Sequence, residues 1–219
     1  MIKSPGLAER LRQATEALHL EAERSGFVRD ILRKRASPGG YGLFLRNLEP
    51  AYAALERGLS QHADHPGLDG FDWPPLFRLQ AITDDLATLA DGSWQDAYAL
   101  LPEATAYAGR IEQLQSEAPL RLLGHAYVRY IGDLSGGQIV KAILLKAPGL
   151  PADRLRFYDF DDIADSEAFK QRFRDQLDHV GEMAIDSEAM IQEALIAFRL
   201  NIDLSHAVQR AVEASGAAD

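Results

Sequence analysis

Along most of this 219-residue chain, apolar residues return every three or four positions. That spacing keeps them on one side of an α-helix. In "SPGLAERLRQATEALHLEAE" they are Leu7, Leu11, Ala14 and Leu18. Ser4 is placed to cap this helix, with Pro5 at its first position. A second helix is predicted over "PGGYGLFLRNLEPAYAALERGL", to about Leu59, with Pro50 as a kink. The turn-rich "QHADHPGLDGFDWPP" then breaks the pattern. A third helix follows in "LFRLQAITDDLATLA". A fourth runs from Trp94 to about Leu114, interrupted near Pro102, and a fifth from Ala118 to Lys146. After the connecting "APGLPADRLRFYDFDD", in which only "RFYDF" resembles a strand, two last helices each open on a serine cap, at Ser166 and Ser187. The expectation is one all-α domain over 1–219, a bundle of about seven or eight helices with a frayed tail from about residue 212.

Composition limits what such a bundle does. The formal net charge of −10 repels phosphate backbones, so nucleic acid is not an expected partner. Neither a leader pattern nor an apolar run of membrane-spanning length occurs, so the membrane is not an expected partner either, and the expected location is the cytoplasm. The chain has no cysteine. That removes disulfides, thiolate metal ligands and thiol nucleophiles from consideration.

Within the fifth helix, "YIGDLSGGQIV" carries Gly132, Gly136 and Gly137. Three interior glycines weaken a helix by roughly 3 kcal/mol relative to alanine. They also leave a strip beside Asp133 without side chains, against which a flat, bulky group can press. Glycine lets the helix bend there as well. Arg129, four residues before Asp133, is spaced to hold its carboxylate. A plain helix–helix crossing would use the same small residues, but packing alone does not call for a carboxylate among them.

His19 lies at the edge of the apolar stripe of the first helix, with Glu23 one turn later. A carboxylate on the far ring nitrogen is what orients a metal-bound imidazole. Arg12 lies on the same face, roughly 10 Å away along the axis. The set suits an iron porphyrin with its propionate, and equally a solvated histidine–glutamate pair. Two basic clusters stand out in so acidic a chain: Lys170, Arg172 and Arg174, and Arg29 with Arg33, Lys34 and Arg35. Each fits the carboxylates of a ligand or an acidic protein, or simply a solvated face.

Taken together, these features resemble the haem oxygenase family. "HAYVRYIGDLSGGQIVKAI" is similar to its glycine-rich distal helix and "LRQATEALHLEAE" to its proximal helix. "AYAALE", "FKQRFR" and "AFRLNI" follow in the same order, so the likeness extends from about Leu7 to Leu204. The resemblance implies an enzyme that cleaves haem with O2 and external electrons to biliverdin, in the alpha form, ferrous iron and carbon monoxide. Haem would be both substrate and cofactor. A ferredoxin or an NAD(P)H-dependent reductase would supply the electrons, as an acidic donor protein received by the basic clusters. His19 would be the axial ligand, oriented by Glu23. Gly132, Gly136 and Gly137 would let the distal helix pass close over the haem. Asp133 would hold a water network with Tyr52, Arg129 and Asn201. Arg12, Tyr127, Lys170 and Arg174 would contact the propionates, and Phe198 would pack at the haem edge. Arg12 stands where animal members have lysine, and Glu16 replaces a basic residue. The animal members' C-terminal anchor is not expected here. The cysteine nucleophile of thiaminase-like relatives of the fold is missing.

Two other readings of the residues compete. Glu16-x-x-His19 and Asp203-x-x-His206 mimic the ligand pairs of a di-iron oxidase. A haem carrier or sensor without chemistry would share the same pocket.

Overall fold

The computed structural model describes residues 5–183 and 186–216. Among these residues the chain forms nine helices and no strand. They are α1 (Leu7–Glu23), α2 (Gly26–Leu32), α3 (Pro38–Gln61), α4 (Leu79–Leu89), α5 (Trp94–Ala97), α6 (Pro102–Glu117), α7 (122–144), α8 (Ser166–Glu182) and α9 (Ser187–Ser215). Within α7, Leu122–Ala126 and Gly132–Leu144 are α-helical, and Tyr127–Ile131 between them is wound as a π-helix.

Helix α3 is the core element. Leu45, Leu48, Tyr52, Leu55 and Leu59, spaced three and four apart, are all essentially inaccessible. Burying each such leucine stabilises the fold by about 1.5–3 kcal/mol. α3 packs against α4 and α6, while α9 lies along α1, α2 and α7. Helical winding continues through Pro50. On α1 the buried stripe is Leu7, Leu11, Thr15 and Leu18, so Thr15 takes the place expected of Ala14, which is exposed. Thr15 satisfies its hydroxyl on the carbonyl of Leu11, at 2.8 Å, and can therefore be buried.

Several sequence expectations are corrected at helix ends. α1 starts at Leu7 after Gly6, so Pro5 precedes the helix, and Ser4 lies outside the described residues. Asp178 on α8 accepts from the amide of Ala8 at 2.8 Å, so a distant carboxylate serves this helix start. The caps of α8 and α9 are Asp165 and Asp186, which accept from Ala168 and Ala189 at 2.9 and 3.1 Å. Ser166 and Ser187 are the first helical residues instead. Pro102 does not interrupt a helix but opens α6, where its missing N–H costs nothing. α9 continues to Ser215 and closes on Gly216, which has a left-handed φ of 67°. The "RFYDF" segment is no strand: Arg156–Tyr158 is a 3₁₀ turn. The reason is Asp85 on α4, whose two carboxylate oxygens accept from the amides of Arg156 and Phe157, both at 2.9 Å. Helix α2 has no counterpart in the sequence reading, because it has only seven residues and starts on a glycine.

Candidate active site

A cleft with about 970 Å³ of empty space, its open side included, lies between α1, α2, α7 and α9. Its lining is mainly apolar, with Val28, Ile31, Phe44, Val128, Val140, Phe157 and Phe198. The polar and charged members include His19, Glu23, Arg129, Asp133 and Asn201.

On the α1 side, the His19 side chain is 57% exposed and lines the cleft. Its Nδ1 faces Oε1 of Glu23 at 3.8 Å, an electrostatic contact longer than a hydrogen bond. The ring of Phe198 meets the imidazole edge-on, with centroids 6.1 Å apart.

On the α7 side, the three glycines divide into two kinds. A methyl group added at Gly132 or Gly136 would meet nothing within 4 Å, and both residues line the cleft. At Gly137 it would stand 3.0 Å from Cδ1 of Tyr158, so this glycine makes room for a protein ring. The glycines themselves sit in α-helical winding, and the irregular winding lies just before them, in Tyr127–Ile131. The backbone crossing of two helices is also elsewhere. A methyl at Gly124 would come within 2.8 Å of the amide nitrogen of Ala194 and 3.0 Å of the carbonyl of Met190. α7 and α9 therefore touch main chain to main chain at Gly124, and the stripe at 132 and 136 is left open.

Behind the glycines is a buried polar network. Tyr52 on α3 donates to Oδ2 of Asp133. Arg129 donates to the same Tyr52 oxygen from Nε at 2.9 Å and from Nη2 at 2.7 Å, and to Asn201 Oδ1 at 2.6 Å. Its approach to Asp133 itself is the longest of these, 3.4 Å. Arg129 thus fixes Asp133 mostly by way of Tyr52. Burial pushes the Asp133 carboxyl above its ordinary value, while Arg129 and the Tyr52 hydroxyl hold it back. Arg129 remains charged, since Tyr52 and Asp133 outweigh the effect of its own burial. The result is a carboxyl at the cleft wall, held in place, whose burial favours the protonated form.

The remaining sequence-predicted residues are not in the cleft wall. Arg12 is exposed and forms a two-pronged pair with Glu9, at 2.8 and 2.7 Å. Lys170 is buried, with Nζ 2.6 Å from Glu167. Arg12, Arg174 and Thr15 surround the half-buried Tyr127, whose hydroxyl burial pushes upward. Arg172 lies over the ring of Phe169, 5.3 Å from its centroid. Sequence reasoning missed the α2 wall and the pair Phe157 and Tyr158. The two adjacent aromatics in "RFYDF" were the available signal for the latter. Among the described residues no three histidine, aspartate or glutamate side chains converge on a possible metal position. The di-iron reading of Glu16, His19, Asp203 and His206 therefore has no ligand set there.

One imidazole and one bare helix strip thus line a single apolar cleft within an all-α bundle, a slot with room for a flat ligand. The "Heme oxygenase" family model matches residues 5–207. Heme oxygenase 1 of Nostoc sp. is 35% identical over 205 residues, covering 92% of this chain and 85% of that protein. Heme oxygenase 1 of Homo sapiens is 34% identical, covering 93% and 72%. The crystal structure of heme oxygenase-1 from Synechocystis sp. in complex with heme superposes with a TM-score of 0.89 at 33% identity, covering 97% of this chain and 96% of that one. The chain belongs to the haem oxygenase family.

Proposed function

We propose that the cleft binds haem, with His19 as the iron ligand, and that the protein cleaves it with O2 to biliverdin, ferrous iron and carbon monoxide. The observation that carries this reading is the open strip at Gly132 and Gly136, backed by the fixed Asp133 and facing an apolar cleft that also holds His19. The donor set fits haem: an imidazole for the iron and aliphatic and aromatic walls for the macrocycle. When bound, haem supplies both the iron that activates dioxygen and the ring that is cut. Glu23 faces Nδ1 and orients the His19 ring, leaving Nε2 for the metal. The strip at Gly132 and Gly136 allows close approach of backbone and confines what stands over one edge of the ring. Asp133 holds and passes a proton to water in the cleft, while Tyr52, Arg129 and Asn201 keep its carboxyl in one orientation. Phe198 packs against the same ligand from α9. Arg12, Tyr127, Lys170 and Arg174 take the propionate carboxylates, for which Arg12 and Lys170 exchange their present partners Glu9 and Glu167.

Electrons come from a ferredoxin or an NAD(P)H-dependent reductase, an acidic donor received at Lys170, Arg172, Arg174 and Arg33 to Arg35. The alpha isomer is the expected product, and the cytoplasm the expected location. No helix among the described residues is long and apolar enough to cross a membrane. The test is haemin titration followed by a reductant such as ascorbate or reduced ferredoxin. A histidine-type Soret band lost in His19→Ala, and a green pigment that chromatographs as one biliverdin isomer, are expected. A bound haem that survives reductant and O2 unchanged would make the protein a carrier.

A further inference from the structure

The 3₁₀ turn Arg156–Tyr158 puts Phe157 and Tyr158 into the cleft wall, where the ring of Tyr158 also abuts Gly137. A three-residue turn has almost no intrinsic stability, yet Phe157 and Tyr158 are both buried. Their place is set from outside. Asp85, on α4 and wholly inaccessible, receives the amides of Arg156 and Phe157 on its two oxygens, both at 2.9 Å. Asp85 itself does not line the cleft. The side chain of Gln138, next to Gly137, donates to the carbonyl of Tyr158 at 2.7 Å, and Lys141 pairs with Asp159. Phe157 in turn meets the ring of Tyr52 edge-on at 5.5 Å. A buried carboxylate is costly, and burial pushes this one up to about 6 against the two amides that hold it down. An asparagine would keep one acceptor oxygen and set an NH2 donor against the other amide, which now has an oxygen of its own.

We propose that Asp85 is a positioning residue of the haem site: by binding both amides of the turn it fixes Phe157 and Tyr158 as the wall that confines the ring against the Gly132–Gly136 strip. This rests on the reading that the cleft takes haem. The side chain touches neither ligand nor Asp133. It acts only through the turn, and so it governs where the ring is cut rather than whether iron is bound.

The experiment compares wild type, Asp85→Asn and Gln138→Ala. The last removes the bond to the Tyr158 carbonyl from a residue outside the cleft lining, and so loosens the same turn if Asp85→Asn does not fold. Amide hydrogen exchange is read first, without haem. In Asp85→Asn the amides of Arg156 and Phe157 should exchange about tenfold faster relative to those of α3, the effect of one weakened hydrogen bond. Haemin is then added. The Soret position should match wild type in both variants, while the single biliverdin isomer becomes a mixture. Unchanged exchange at Arg156 and Phe157 in Asp85→Asn, or a single isomer from that variant, overturns the proposal; where Asp85→Asn does not fold, a single isomer from Gln138→Ala overturns it. Wild type that yields no biliverdin overturns the haem-cleavage reading instead, and the exchange result still decides whether Asp85 holds the turn.

Discussion

Tyr52 donates its hydroxyl proton to Asp133 across 81 positions of chain, joining the central helix to the glycine helix. The same phenol oxygen accepts two N–H groups of Arg129. One hydroxyl thus satisfies a buried guanidinium and steers a buried carboxylate. Such networks are costly when any member is left unpaired.

Tyr52→Phe removes that oxygen. Arg129 keeps Asn201 and its 3.4 Å approach to Asp133 but loses its two contacts to the phenol, and Asp133 loses the Tyr52 donor. The variant should be less stable by about 1–3 kcal/mol in urea denaturation. The Asp133 carboxyl should rise further, since one of the groups holding it down, beside Arg129 and Arg78, is gone. Haemin should still bind with the wild-type spectrum, because His19 and the apolar walls are untouched. A variant as stable as wild type would refute the network.

Glycine substitutions should sort by position. Gly136→Ala places its methyl in the open cleft, so the fold should gain up to ~1 kcal/mol of helix preference. Haemin affinity and biliverdin yield should fall. Gly124→Ala drives its methyl into the backbone of Ala194 and Met190. It should cost roughly 1–3 kcal/mol by overpacking. Thermal melts of the two apoproteins check the opposite signs.

Acid should destabilise the protein through a cluster far from the cleft. His125 on α7 is fully buried, with Nε2 3.0 Å from Glu193, and Arg110 adds two bonds to the same carboxylate at 2.9 and 2.5 Å. Burial puts the His125 ring below its ordinary value of 6.5. Burial would raise Glu193, but His125 and Arg110 outweigh it and hold the carboxyl at about 2 instead of 4.5. Both groups are depressed in the folded state, so their contribution is complete at neutral pH. It declines as pH falls below about 6.5 for His125, and from about 4.5 toward 2 for Glu193, where the loss reaches on the order of 3 kcal/mol. Asp85 and Glu56, raised to about 6 and 7, work in the opposite direction. Arg110→Met isolates the Glu193 part. The difference in unfolding free energy between wild type and Arg110→Met should shrink as pH falls from 4.5 toward 2. A constant difference would refute the assignment.

The long helices were legible because a periodic apolar stripe is a local signal. Leu45, Leu48, Leu55 and Leu59 announce α3 without reference to any other element. Asp133 beside the glycines, and His19 with Glu23, were legible for the same reason, being neighbours on one helix. What escaped was held together at a distance. The Arg156–Tyr158 turn depends on Asp85, some 70 positions earlier, so "RFYDF" by itself looked extended. Asp178 serves α1 from the other end of the chain. Nothing near His125 in sequence shows Glu193. The caps at Asp165 and Asp186 were misassigned by one residue, because serine and aspartate are both good caps and adjoin one another here.

The π-wound stretch Tyr127–Ile131 acts as a phase setter for everything after it. Five residues wound this wide advance about as far around the axis as four in an ordinary α-helix. Rewinding the same five residues as α-helix would rotate the following turns by roughly 100° about the axis. Gly132 and Gly136 would then swing away from the cleft. Deleting one residue together with the wide turn would leave them in place, so the stretch absorbs the one residue that the strip needs absorbed.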